Sequence, residues 1–129
     1  TDSTLKGQTV FLAERCAELI QTDIITDRTI VDVMAFTMNA KSIHHQDKEL
    51  FETYASEFIR EYDYIFYISP YGLKIEDNGV RETDEHYRDL IDFTITTLIK
   101  RYGHRCNVVE KISGSTEERI QQILNITGL

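Results

Sequence analysis

The chain has one proline and six glycines in 129 residues, which excludes a collagen-like or linker-dominated polymer. It has no run of about 18 apolar residues, the length a spanning helix needs, so no membrane segment is expected. No basic–apolar–small leader opens it, which gives secretion no support and makes the expected setting cytoplasmic. Only two cysteines occur, Cys16 and Cys106, far apart and in apolar surroundings. A disulfide stays open, but two thiols in a reducing compartment fit this usage better. Positive charge is scarce: 14 Lys and Arg stand against 22 Asp and Glu, for a formal net charge of −8. That balance makes duplex nucleic acid a poor non-specific partner, while leaving room for a local basic groove. Gly-x-Ser-x-Gly is absent, so hydrolysis through an elbow serine has no support. No repeat or low-complexity tract appears.

What remains is the composition of one globular domain, 41% hydrophobic and 28% charged. Apolar residues at helical spacing predict a helix over Thr4 to Gln21 (Leu5, Phe11, Leu12, Cys16, Leu19). Asp23-Ile24-Ile25-Thr26-Asp27 reads as a short buried strand ending in a carboxylate. Ile30 to Met38 reads as a second helix, and Asp47 as the cap of a third through Leu50, Phe51, Tyr54 and Phe58. The clearest strand is Tyr62 to Ser69, aromatic and β-branched throughout and stopped by Pro70. A polar loop follows, with Asp77-Asn78-Gly79 as a turn and Thr83 as the cap of a long helix ending at Gly103. Cys106 to Val109 is a third strand. Ser115 or Thr116 then caps a last helix carrying Ile120, Ile123 and Leu124. Strands separated by helical crossovers are parallel and covered on both faces. The expected class is therefore α/β with a three-layer parallel sheet. Three strands make a thin sheet for that class.

Three segments could carry chemistry. Asp27 stands at the carboxyl end of a strand, where open parallel sheets bind ligands. A carboxylate there can orient a metal-bound water or a substrate hydroxyl, and Arg28 beside it can fork a phosphate. The plainer alternative is that Asp27 or Thr29 caps the next helix. Asp32 adds a second acid one turn on. The second segment, Gly72 to Arg88, carries Arg81 and Arg88, two guanidiniums suited to offsetting charge on a migrating phosphoryl group. Its many acids make surface ion pairing the plainer alternative. In the third, Ser113-Gly114-Ser115-Thr116, backbone groups could frame a flat base, or simply cap a helix. His44 and His45 are adjacent and diverge on any regular element, so they read as a solvated loop. The aromatics Tyr62, Tyr64, Phe66 and Tyr67 read as sheet core.

Taken in order, these segments resemble one family. The string is Asp-Arg-Thr after a strand, Ile-Val-Asp-Val-Met-Ala-Phe, a strand-Pro, Asp-Asn-Gly-Val-Arg-x-Thr-Asp-x-x-Tyr-Arg, then Ser-Gly-Ser-x-x-x-Arg. It is similar to the P-loop kinase-like domains of the ribosylnicotinamide kinase group, grouped with small AAA-type ATP-binding domains. The resemblance spans about Gln8 to Leu124 and is most specific over Asp77 to Arg88. It implies a P-loop nucleoside/nucleotide kinase fold and an ATP- and Mg²⁺-dependent phosphotransferase acting on a nucleoside-like hydroxyl. It implies Asp27 near magnesium and the acceptor, with Arg28, Asp32 and Gln8 on the acceptor side. Arg81 and Arg88 become arginines of a lid-like loop at about 71–88, and Gly114 and Ser115 lie by the adenine. The family opens with a strand and Gly-x-x-x-x-Gly-Lys-Ser/Thr, which cradles phosphates. That motif is absent here, and the chain begins at Thr1 without methionine. The expectation is the back part of a longer kinase domain, its first strand and phosphate loop missing from the chain. The alternatives are a nucleotide-binding ATPase or switch module, or a non-catalytic interaction domain. A base within DNA as acceptor suits the negative charge poorly.

Overall fold

The structure, a computed structural model, describes residues 3–70 and 85–129. Its elements run α1 (Leu5–Glu18), α2 (Ile30–Met38), α3 (His45–Ser56), β1 (Tyr64–Ile68), α4 (Glu85–Tyr102), β2 (Val108–Ile112) and α5 (Thr116–Thr127). Single 3₁₀ turns follow α3 (Glu57–Glu61) and α4 (Gly103–Arg105).

The organising element is α2. Its nine residues, IVDVMAFTM, are apolar on nearly every side, and a helix of that kind is stable only when surrounded. It packs against α1, α3 and α4, and Ile30, Met34 and Ala35 have no solvent exposure. Leu98 from α4 and Ile59 after α3 complete the centre. Thr29 starts α2 with a capping box: its side chain accepts from Val31 N–H, and Asp32 Oδ2 accepts from Thr29 N–H at 2.8 Å. Glu52 on α3 accepts hydrogen bonds from both Arg101 and Tyr102 on α4.

This architecture overturns the expected three-layer parallel sheet of P-loop kinase type. Among the described residues the sheet has two parallel strands, with Tyr64 opposite Val108 through Ile68 opposite Ile112. The third expected strand does not form. Asp23 takes a left-handed φ of 56°, and the Thr26 hydroxyl donates to the Arg28 carbonyl at 2.9 Å, closing a local turn. Ile25 is 88% exposed. A β-branched run becomes a strand only beside a pairing partner, and β2 already pairs with β1.

Smaller corrections follow the same logic. The second strand lies at Val108–Ile112, a little beyond the expected Cys106 to Val109. His44, not Asp47, caps α3, its Nδ1 accepting from Gln46 N–H at 3.3 Å. Leu50 and Tyr54 are 69% and 63% exposed rather than in the core. Ser115 does cap α5, in a second capping box with Glu118. Both cysteines are free. Among the described residues no helix is long and apolar enough to cross a membrane. The turn at Asp77-Asn78-Gly79, the Thr83 cap and most of the lid-like loop lie outside the described residues.

Candidate functional site: a small pocket beside an acidic groove

Two cavities meet at the N-terminal half of α2. The smaller, about 220 Å³, is lined by Gln8 and Phe11 of α1, by Arg28, and by Asp32, Val33 and Phe36 of α2, with Ser3 at its rim. The larger is an open groove of about 2150 Å³. Asp27, Asp32, Phe36 and Arg88 line it, together with segments around Thr22–Thr26 and Glu61–Ile68. Asp32 and Phe36 border both cavities.

The local fold explains this division. Thr29 takes the capping role, so Asp27 has no part in starting α2 and is exposed at the groove. Arg28, the next residue, turns to the pocket and lies over the Phe36 ring at 5.9 Å from its centroid. Gln8 is buried, and its Oε1 accepts from the Thr37 hydroxyl at 3.2 Å. Asp32 uses Oδ2 for the capping box, which fixes its carboxylate at the shared wall.

Across the groove, α4 supplies Arg88 and Asp92. Asp92 accepts a hydrogen bond from the Tyr67 hydroxyl of β1. The Nε of Arg88 is buried and has no hydrogen-bond partner. Tyr62, just before β1, ties the groove floor to α2: the Ile30 N–H donates to its hydroxyl oxygen at 3.0 Å. Burial pushes that phenol up to about 12. Sequence reasoning took Tyr62 for sheet core. The available signal was its hydroxyl, which a half-buried tyrosine must satisfy. Phe11 and Phe36, the rings of the pocket, were also missed as site residues.

The sequence-derived candidates thus divide into groups. Gln8, Arg28 and Asp32 meet at the pocket, while Asp27, Asp32 and Arg88 meet at the groove. Gly114 and Ser115 line neither cavity, and Ser115 is occupied in capping α5. Arg81 lies outside the described residues. Burial raises both the Cys16 and Cys106 thiols above their ordinary value, which suits packing rather than nucleophilic attack.

The groove has a definite sign. Among the described residues that line it, eight carboxylates face a single guanidinium, Arg88. Among the described residues no group of three or more His, Cys, Asp or Glu side chains is arranged to hold a metal ion. A cation at Asp27 would therefore need ligands from its own cargo, which is how Mg²⁺ is usually held: one or two carboxylates plus substrate phosphates. The unpartnered Arg88 Nε–H is a donor suited to such a phosphate. No protein-family model, curated protein or solved structure matches the chain.

Proposed function

We propose that the protein is an ATP-dependent phosphotransferase acting on a hydroxyl of a nucleoside-like small molecule. The supporting observation is the shared wall: Asp32 and Phe36 border both the pocket that holds Gln8 and Arg28 and the groove that holds Asp27 and Arg88. An acceptor in the pocket would stack on Phe36 and take polar contacts from Gln8, Arg28 and Asp32. Its hydroxyl would point towards Asp27, which orients it and accepts its proton. Arg88 would offset charge on the donor phosphates. Mg²⁺ arriving with ATP supplies the remaining positive charge, with Asp27 as its protein ligand. Two free thiols fit the reducing cytoplasm in which such a reaction would run.

A second reading is a module that binds a partner without catalysis. The acidic lining of the groove among the described residues favours it. Incubating the full-length protein with γ-labelled ATP, Mg²⁺ and a panel of nucleosides separates the two. Label on a nucleoside supports phosphotransfer, and Asp27→Asn should lower its rate by about 10²- to 10⁴-fold. Label released only as free phosphate indicates a switch. Absence of nucleotide binding leaves the interaction module. Wild-type transfer by the Asp27→Asn protein removes Asp27 from the mechanism.

A further inference from the structure

The small pocket restricts what the acceptor can be. It measures about 220 Å³, below the roughly 300–1,000 Å³ of most small-molecule sites. It therefore takes one ring, with the rest of the acceptor reaching towards the groove. Phe11 from α1 and Val33 and Phe36 from α2 make its lining largely apolar, which suits a planar ring.

Gln8 carries the polar information. It is 4% exposed, yet it bears a full amide, with two donors and an acceptor. Its Oε1 is held by the hydroxyl of Thr37, a residue with no exposure. Among the described residues nothing accepts from its Nε2, and Gln8 lines the pocket. A buried N–H donor without a partner is costly, and a carbonyl oxygen on a bound ring removes that cost. Arg28 and Asp32 add charge of both signs. Neither makes an ion pair among the described residues. Asp32 is fixed through Oδ2 to the Thr29 N–H, and Arg28 lies over the Phe36 ring. A cation and an anion lining one small pocket suit a neutral ring that carries both acceptors and a donor. A charged ring would be opposed by one of them.

We propose that this pocket recognises the base of a pyrimidine nucleoside, one ring wide, with Gln8 Nε2–H donating to the C2 carbonyl that uracil and cytosine share. The inference rests on the phosphotransfer reading and specifies its acceptor. Adenine has two fused rings and no carbonyl, so the base of the ATP donor does not compete for the pocket.

The test is calorimetry of the full chain with nucleosides alone. Uridine and cytidine should bind at least about tenfold tighter than adenosine. 2-Thiouridine, whose sulfur is a poor acceptor, should bind about tenfold more weakly than uridine. These comparisons need no variant. Gln8→Met keeps the length of the side chain and removes the donor, while the Thr37 hydroxyl still donates to the Val33 carbonyl at 2.8 Å. It should abolish the difference between uridine and 2-thiouridine. Adenosine binding as tightly as uridine overturns the size argument and the proposal with it. Equal binding of 2-thiouridine, a difference that persists in Gln8→Met, or no nucleoside binding at millimolar concentration also overturns it. Phosphotransfer is read separately, with γ-labelled ATP. Uridine that binds as expected but takes no label leaves base recognition standing and removes phosphotransfer. Label transferred to adenosine as readily as to uridine keeps phosphotransfer and overturns the pyrimidine pocket.

Discussion

Replacing Tyr62 by phenylalanine tests how the groove is attached to the central helix. The ring stays and one oxygen goes. At pH 8 the Ile30 N–H loses its acceptor, in a residue with no solvent exposure. The expected cost is about 1 kcal/mol. The pH dependence carries more information. Burial raises the phenol from 10.0 to about 12, so between those values the folded state keeps a proton that the unfolded chain releases. Stability from this source is complete below pH 10 and is lost as pH rises towards 12. At full strength the shift corresponds to roughly 3 kcal/mol. Tyr62 is only half-buried, so solvent screening brings the expected loss down to about 1–2 kcal/mol. Urea denaturation of both proteins at intervals from pH 8 to 11.5 measures this directly. The wild-type advantage should shrink steadily and vanish or reverse near the top of the range. A difference that stays constant across that interval would mean that the phenol titrates alike in both states, and the account of Tyr62 as a buried anchor would be wrong.

Leu98→Ala removes a side chain with no exposure from the face of α4 that meets α2; urea denaturation should show a loss of about 2–5 kcal/mol, and a loss below 1 would displace α2 and α4 from the centre of the core. Gly114→Ala puts a side chain at φ +98°, with its Cβ 3.0 Å from Glu118 Oε2. It should cost about 1–3 kcal/mol and speed hydrogen exchange at the first turn of α5, whereas an unchanged protein would show that the turn relaxes freely. Chelating divalent cations should weaken ATP binding by at least about tenfold, because the groove otherwise opposes the triphosphate; equal affinity with and without Mg²⁺, read by calorimetry, would place the nucleotide away from Asp27.

The parts of the fold that were legible in the sequence are those that local chemistry decides. Ser115 and Glu118 stand three residues apart and form the capping box that their types imply. Gly103 follows α4 directly. Tyr62 to Ser69 contains β1. What failed depended on neighbours. Ile24 and Ile25 have every local qualification for a strand, yet pairing is a property of two segments, and their own sequence carries no information about the second. Asp47 has the chemistry of a cap, but His44 stands where the helix begins. Leu50 and Tyr54 follow helical spacing and still face solvent, because periodicity marks a face without stating what covers it. The site was read in the same partial way. The order of Gln8, Asp27, Arg28, Asp32 and Arg88 along the chain suggested a common place. Only the turn before α2 determines that Asp27 faces the groove while Arg28 faces the pocket.

Charge decides between the occupants of the groove. At a separation of about 7 Å, one like-charged pair costs roughly 0.6 kcal/mol in water and about 2.4 kcal/mol at the effective dielectric of a protein surface. A bare triphosphate facing several of the eight carboxylates would meet that opposition many times over, with Arg88 the one guanidinium among the described lining residues to offset it. Mg²⁺ arriving with the nucleotide would change the balance by offsetting much of its charge, with Asp27 as the carboxylate that could hold it. An acidic wall that must be neutralised before it can hold phosphate would make nucleotide affinity conditional on the divalent cation that arrives with the nucleotide.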